Sequence, residues 1–391
     1  MTPDFSGKTL LQVIPKLEGG GAERTTLEVG KAFIAAGGRS LVISSGGAMV
    51  EELERDGSEH IHLHAESKNP LLIARNAEEI AEIIRKENVS ILHARSRAPA
   101  WSCLSAARKT GVAYVTTYHG VYNAKSGLKR LYNSIMVRSD RVIANSRFTH
   151  EHILEQYKGK KYLKPELITT IPRGADLDRF SPEQVSDDRR GAAVKLFGEG
   201  LRVVLPGRFT GWKGQTVLIE AAALFRERHP DVPISFLMIG RMDEKPGYVE
   251  DLRQKLAALD LGNVIRMEDA SDHVPAILAA CDIVISASTE PEAFGRVAVE
   301  AQAAGKPVIA TAHGGALETV LTEKTGLLVP PGDAEALANA LTTLHDQGSV
   351  GRSEMGRRGM DHARTSFTTE AMTASTLNVY QELLRRQEVQ G

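Results

Sequence analysis

Residues 202–239 read RVVLPGRFTGWKGQTVLIEAAALFRERHPDVPISFLMI. Arg202 to Leu205 is a short β-branched run, Pro206 to Gly214 is a loop with three glycines, and Ile234 to Ile239 is a second apolar run. The segment between the runs has helical length, so the whole reads as strand, helix, strand, with the two strands parallel. The unit recurs in both directions. Downstream runs are Val264 to Met267, Ile283 to Ser286, Pro307 to Ala310 and Gly326 to Val329. Upstream runs are Thr9 to Ile14, Ser40 to Ser44, His60 to His64, Val89 to His93, Ala113 to His119, Arg141 to Ala144 and Ile168 to Ile171. Amphipathic segments of helical length, such as Ala22 to Ala36, Asn76 to Glu87, Ala98 to Lys109 and Leu128 to Val137, lie between the upstream runs. This alternation predicts α/β architecture, with parallel sheets covered by helices on both faces. Residues 173–200 are rich in Gly, Pro and charge, lack an apolar period, and are the expected linker. Two doubly wound domains are therefore expected, at residues 1–180 and 198–368, with a cleft between the carboxyl ends of their strands. Of the last helical segments, Asp333 to His345 and Glu370 to Arg386, the second is free to pack back on the first domain.

The composition agrees with two domains. The chain has 391 residues, 42% hydrophobic and 25% charged, which excludes a disordered chain, a collagen and a membrane-spanning bundle. Cys103 and Cys281 are too few and too separated for a disulfide scaffold or a cysteine-built zinc site. Without a signal-like N-terminus or a spanning apolar run, a cytoplasmic protein is expected. The formal charge of −1 divides into +6 over residues 1–180 and −7 over 181–391. Between Asn88 and His150, ten basic residues, among them Arg95, Arg97, Lys125, Lys129, Arg130 and Arg141, face one acid, Asp140, which predicts a basic surface for an anionic partner.

Two tandem α/β domains suggest a dehydrogenase first. A dinucleotide fingerprint needs G-x-G-x-x-G and an acid after the second strand. Here Gly19-Gly20-Gly21 is followed by Arg24 where the third glycine belongs, and the second strand ends in Ser44-Ser45-Gly46-Gly47. The glycines suit either a tight strand-to-helix turn or close backbone approach to an anion at a helix N-terminus. In the second half, Arg208 and Lys213 flank a loop that opens a helix and are placed to neutralise a diphosphate, a forked donor beside a point charge. After the Ile283 to Ser286 run comes Thr289-Glu-Pro-Glu-Ala-Phe-Gly-Arg-Val-Ala-Val-Glu300. Glu292 precedes a helix beginning near Arg296 and Glu300 lies within it, so their staggered carboxylates suit different hydroxyls of one polyol, with the helix N-terminus available to a phosphate.

Taken together, these motifs resemble the family-four retaining glycosyltransferases. The resemblance is carried by Glu292 and Glu300 in E-x7-E spacing, the Glu292-Ala-Phe-Gly295 turn, the Gly207-Arg208-x4-Lys213-Gly214 loop and Gly19-Gly20-Gly21. It extends to Pro307-Val-Ile-Ala-Thr and Gly314-Gly315-x-x-Glu318, hence over essentially the whole chain. It implies a GT-B fold of two Rossmann-like domains and a nucleoside-diphosphate sugar as co-substrate, with no bound metal or other cofactor. In the implied roles, Arg208 and Lys213 stabilise the departing diphosphate, Glu300 binds the ribose and Glu292 the donor sugar. Phe294 and Gly295 offer backbone N–H groups, Gly20 and Gly21 approach the diphosphate, and His119 lies near the donor sugar. The strand ending at Met267 would carry the base contact, although Glu268-Asp269-Ala270-Ser271 stands where relatives have a glycine. The rival expectations are a GT-B nucleotide-sugar epimerase and a catalytically silent sugar-nucleotide-binding protein.

Three further features bear on metals and on the acceptor. Asp176-Leu177-Asp178 has the D-x-D form but follows the interdomain connection, and reads as a hinge turn; His60, His62 and His64 share one strand face and read as edge residues. Lys125, Lys129 and Arg130, interleaved with Leu128, Leu131, Tyr132, Ile135 and Met136, predict a helix with a cationic and an apolar side. Such a helix suits an anionic membrane and a glycan or lipid-linked acceptor, of lipopolysaccharide type, unless its apolar side is core. Arg95-Ser96-Arg97 is a candidate for acceptor phosphate. Nucleic acid is disfavoured by a pI near 7 and only 5% aromatic residues.

Overall fold

The computed structural model describes residues 3–390 apart from 123, 125 and 270–272. The chain divides into two compact units, residues 1–174 with 369–391, and residues 175–368.

The first unit runs β1 (Thr9–Val13), α1 (Gly21–Ala35), β2 (Arg39–Ser44), α2 (Val50–Arg55), β3 (Glu59–His62), α3 (Pro70–Lys86), β4 (Val89–Ala94), α4 (Arg97–Thr110), β5 (Ala113–Tyr118), α5 (Gly127–Asn133), β6 (Arg141–Ala144), α6 (Arg147–Gln156) and β7 (Ile168–Thr170). Its seven parallel strands are ordered β3-β2-β1-β4-β5-β6-β7. Period-two alternation sends Leu10, Ile91 and Val115 to one face and Leu11, Leu92 and Tyr114 to the other, so each strand feeds two cores. The helices show matching signals. At the start of α3, Asn69 accepts the Leu71 N–H at 2.9 Å and Pro70 follows; Arg85 and Lys86 occupy the last turn, and Ala77, Ile80, Ala81 and Ile84 form the buried stripe.

The second unit runs α7 (Asp187–Val194), β8 (Leu201–Pro206), α8 (Gln215–Arg228), β9 (Ile234–Gly240), α9 (Pro246–Ala258), β10 (Ile265–Asp269), α10 (Val274–Ala280), β11 (Ile283–Ser286), α11 (Arg296–Ala303), β12 (Val308–Thr311), α12 (Ala316–Thr319), β13 (Gly326–Val329), α13 (Ala334–Asp346) and α14 (Gly348–Ser366). Its six parallel strands are ordered β10-β9-β8-β11-β12-β13. Val203, Leu205, Phe236 and Met238 face one core, and Val204, Leu237 and Ile239 the other.

The final helix, α15 (Thr369–Gln390), returns to the first unit. Tyr380 is fully buried there, its hydroxyl 2.5 Å from His93 Nδ1 and its ring edge-on to Phe33.

The linker expected at residues 173–200 is largely structure of the second unit. Leu177, Phe180, Val185, Ala193 and Phe197 are buried in its core, and the chain leaves the first unit at Gly174. These apolar residues are too widely spaced to show a helical period, which is why composition alone suggested a linker. Among the described residues, no helix is long and apolar enough to cross a membrane.

Candidate functional site

In a doubly wound sheet, neighbouring strands whose connections run to opposite sides leave a crevice at their carboxyl ends, and ligands bind there. In the second unit this switch point lies between β8 and β11, the strands that carry the two loops singled out from the sequence.

Lys213, in the loop after β8, reaches Glu292, in the loop after β11, with Nζ 2.7 Å from Oε1. The two side chains are only 13% and 19% exposed, so the pair is largely withdrawn from water. Ser288 Oγ donates to the same carboxylate oxygen. Lys213 Nζ also stands 4.6 Å from the Trp212 ring centroid. The loops are joined by their backbones as well, through Thr289 N–H to the Trp212 carbonyl at 2.7 Å. Gly214, which opens α8, has φ +82, and a Cβ there would overlap the Ala287 carbonyl. Glycine is therefore required both by conformation and by the closeness of the loops.

The Glu292 loop is braced from beneath. Gly315 N–H donates to the Glu292 carbonyl at 2.7 Å, and Thr311 Oγ1 and His313 Nε2 both lie 2.8 Å from the Ser288 carbonyl. Gly314 has φ +60, and a Cβ there would overlap the Glu292 carbonyl. Phe294 is buried, 5.5 Å edge-on to Phe367, and Gly295, at φ +77, turns the chain into α11. Glu300 lies in that helix, 13% exposed, with Oε1 3.0 Å from Arg296 Nη2. Arg208 is exposed, and its carbonyl is held by Gln215 Nε2 at 2.9 Å. Met267 is half-buried on the edge strand β10; Ala270 and Ser271, which follow it, lie outside the described residues.

In the first unit the switch point lies between β1 and β4. Gly20 caps α1, with the Glu23 carboxylate folded back beside it, and the Arg173 guanidinium occupies the space where a Cβ on Gly21 would stand. His119 follows β5, and its Nε2 is enclosed without a partner. Burial, with Arg95 and Arg173 adding to it, holds this imidazole well below the usual histidine range.

The basic surface is smaller than the count of charges suggested. Arg95 and Arg141 are 2% and 5% exposed, and Arg97 and Arg138 lie over the rings of Tyr122 and Tyr162. Lys129 and Arg130 are exposed beside Leu128 and Leu131, whereas Ile135 and Met136 are fully buried in a 3-10 turn after α5. The single amphipathic helix expected over 128–137 is thus split, with only its first part outward; Lys125 lies outside the described residues. Asp176 accepts the Arg179 N–H at 3.2 Å in a turn. His60 Nε2 lies 2.8 Å from Ser44 Oγ, and β3 is an edge strand. The sequence reading passed over Ser288, Thr311, Asn145 and Arg173.

Comparison with known proteins bears on the family and the fold. The family model described as Glycosyltransferase Family 4 matches residues 19–179, and the one described as Glycosyl transferases group 1 matches residues 191–360. A solved glycosyltransferase from Rickettsia africae ESF-5 is 36% identical with a TM-score of 0.87, over 96% of this chain and 98% of that one. The D-inositol 3-phosphate glycosyltransferase of Pseudarthrobacter chlorophenolicus is 28% identical over 81% of this chain and 77% of its own length. Further curated proteins of that name are matched over about half their length. Anabaena Alr3699/HepE, solved in complex with UDP, shares the fold at a TM-score of 0.80 and 23% identity, over 96% of this chain and all of that one.

Proposed function

The chain belongs to the family-four glycosyltransferases of GT-B fold, and from that premise we propose that it moves a hexosyl group from a nucleoside-diphosphate sugar to a glycan or lipid-linked acceptor, retaining the anomeric configuration. The observation that carries the reading is the Lys213–Glu292 pair at the β8/β11 switch point, beside α11 and Glu300.

Each group has a task. The leaving diphosphate gains negative charge as the glycosidic bond breaks, and Arg208 with Lys213 meets that charge, as a divalent cation does elsewhere. Lys213 exchanges part of its bond to Glu292 for the diphosphate, which frees Glu292 Oε1 to accept from a sugar hydroxyl. Glu300 takes the ribose hydroxyls, the N–H groups at Phe294 and Gly295 face the sugar or phosphate, and the edge near Met267 takes the base. We assign no protein nucleophile; the acceptor attacks on the face the diphosphate leaves. The UDP complex of the Anabaena protein makes UDP the first nucleotide to try.

We place the acceptor in cell-envelope glycan synthesis of the lipopolysaccharide type, with the enzyme at the inner face of the cytoplasmic membrane. Exposed Leu128 and Leu131 beside Lys129 and Arg130 support contact with an anionic lipid surface.

Ligand-observed NMR with UDP-, GDP- and ADP-sugars in the presence of a chelator tests the donor, and product analysis tests the reaction. Hydrolysis or transfer giving the retained anomer is expected, with Glu300→Ala and Lys213→Ala each at least about tenfold slower, roughly 1.4 kcal/mol of transition-state stabilisation. Near-wild-type rates in both variants refute the site. Isomerised sugar without acceptor identifies an epimerase, and binding without turnover a silent binder.

A further inference from the structure

The Glu292 carboxylate receives two donors on one oxygen, for Lys213 Nζ, at 2.7 Å, and Ser288 Oγ both reach Oε1. The two differ in kind. A lysine ammonium ends a flexible four-carbon stem and can change partner without moving the backbone, and in the reading above Lys213 turns to the diphosphate when the donor binds. A glutamate released in this way would be loose, because its last torsion is broad and two-fold. The serine hydroxyl stands one carbon from the backbone, and Ser288 is only 3% exposed, so close packing leaves it little room to turn. Ser288 is also neutral, and a diphosphate has no charge to attract there.

The backbone that carries this hydroxyl is tied down. The Ser288 carbonyl accepts from Thr311 Oγ1 and from His313 Nε2, each at 2.8 Å, which engages both of its lone pairs and places an imidazole proton on Nε2, since a carbonyl can only accept. Thr311 is buried at the end of β12. The next residue, Thr289, donates its N–H to the Trp212 carbonyl at 2.7 Å, and Gly315 N–H holds the Glu292 carbonyl at the same distance. Residues 288–292 are therefore anchored to the loops after β8 and β12, the strands on either side of β11.

We propose that Ser288 is the positioning residue of the donor site, holding the Glu292 carboxylate toward the sugar after Lys213 has turned to the diphosphate. This rests on the reading above, in which Glu292 meets the donor sugar. Ser288 itself touches neither sugar nor nucleotide. Its effect is confined to ligands that carry a sugar and passes through Glu292.

Isothermal titration calorimetry tests the assignment on wild-type protein, Ser288→Ala, Glu292→Ala and the double variant. The ligands are whichever of UDP-, GDP- and ADP-glucose the wild type binds most tightly, and the matching free diphosphate. Ser288→Ala should bind the sugar nucleotide about tenfold more weakly, as the loss of one hydrogen bond to a charged group implies, and the free diphosphate within about twofold of wild type. In the Glu292→Ala background the same substitution should change neither affinity. Equal loss for the two ligands, which a merely loosened loop would give, overturns the proposal, as does an additive loss in the double variant. Should Ser288→Ala not unfold cooperatively, Ser288→Cys, close in size and with only a weak S–H donor, takes its place with the same expectations. Unchanged sugar-nucleotide affinity in a folded variant strikes the role of Ser288 alone. Failure of wild-type protein to bind any of the three sugar nucleotides strikes the proposed function, and this assignment with it.

Discussion

Replacing Lys213 by methionine keeps the apolar stem, removes the charge and tests the pair on which the donor site is built. A separation of 2.7 Å corresponds to a gross attraction on the order of 6 kcal/mol at an effective dielectric of about 20. Desolvation of two side chains that are only 13% and 19% exposed offsets most of it. Hydrogen bonds to charged groups keep about 1.5–3 kcal/mol net. Because Ser288 still satisfies Glu292 in the variant, the lower end applies, and Lys213→Met should cost the second unit about 1.5 kcal/mol. Urea unfolding followed by Trp212 fluorescence, with Trp101→Phe as background, reads that unit alone. Glu292→Gln should have a similar cost, and the double variant should lose at least about 1 kcal/mol less than the sum. Strict additivity would show that the pair does not form in the free enzyme, and the exchange of Lys213 from carboxylate to diphosphate would fall with it.

Gly314→Ala forces a Cβ onto the Glu292 carbonyl at φ +60; at least about 2 kcal/mol should be lost, seen as a lower urea midpoint for the second unit and unchanged unfolding of the first. Burial holds His93, fully enclosed between Tyr380 and Thr117, well below the usual histidine range. The unfolded chain then binds more protons than the folded one below about pH 6.5, so stability falls as pH drops through that range, by about 1.4 kcal/mol per unit for each such histidine. His119 adds to the same slope, and calorimetry from pH 7 to 5 should show the first unit's transition moving down; a flat profile contradicts the burial. Leu128→Glu with Leu131→Glu should abolish co-sedimentation with anionic vesicles at low salt, and wild-type protein that shows no preference for anionic over neutral vesicles removes the membrane contact.

The thirteen strands among the described residues stand where the sequence runs placed them, to within a residue or two. Their signal is local, since β-branched runs bounded by Gly, Pro and Asp need no knowledge of the rest of the chain. The helix α14 escaped because its packing side is made partly of glycine. Gly356 lies so close to the Gly305 carbonyl that a Cβ would overlap it, and Gly359 rests on Gln302. An apolar period cannot register a face without side chains. The order of Glu292, Gly295 and Glu300 along loop and helix was legible, because spacing within one segment maps directly onto geometry. The contact of Lys213 with Glu292, 79 residues apart, was not, and neither was the meeting of Thr311 and His313 with Ser288. Such encounters depend on strand order, which places β8 on one side of β11 and β12 on the other.

The return of α15 to the first unit also dictates an order of events during synthesis. Tyr380 and Leu383 complete the core that Phe33 and Ile91 begin, yet the ribosome adds them only after the whole of the second unit. The second unit is continuous in sequence and can fold as it emerges. The first must wait, its hydrophobic face around Leu10 and Val115 uncovered, so a nascent chain stopped before residue 369 should carry a finished second unit and an unfinished first one that chaperones and proteases can recognise.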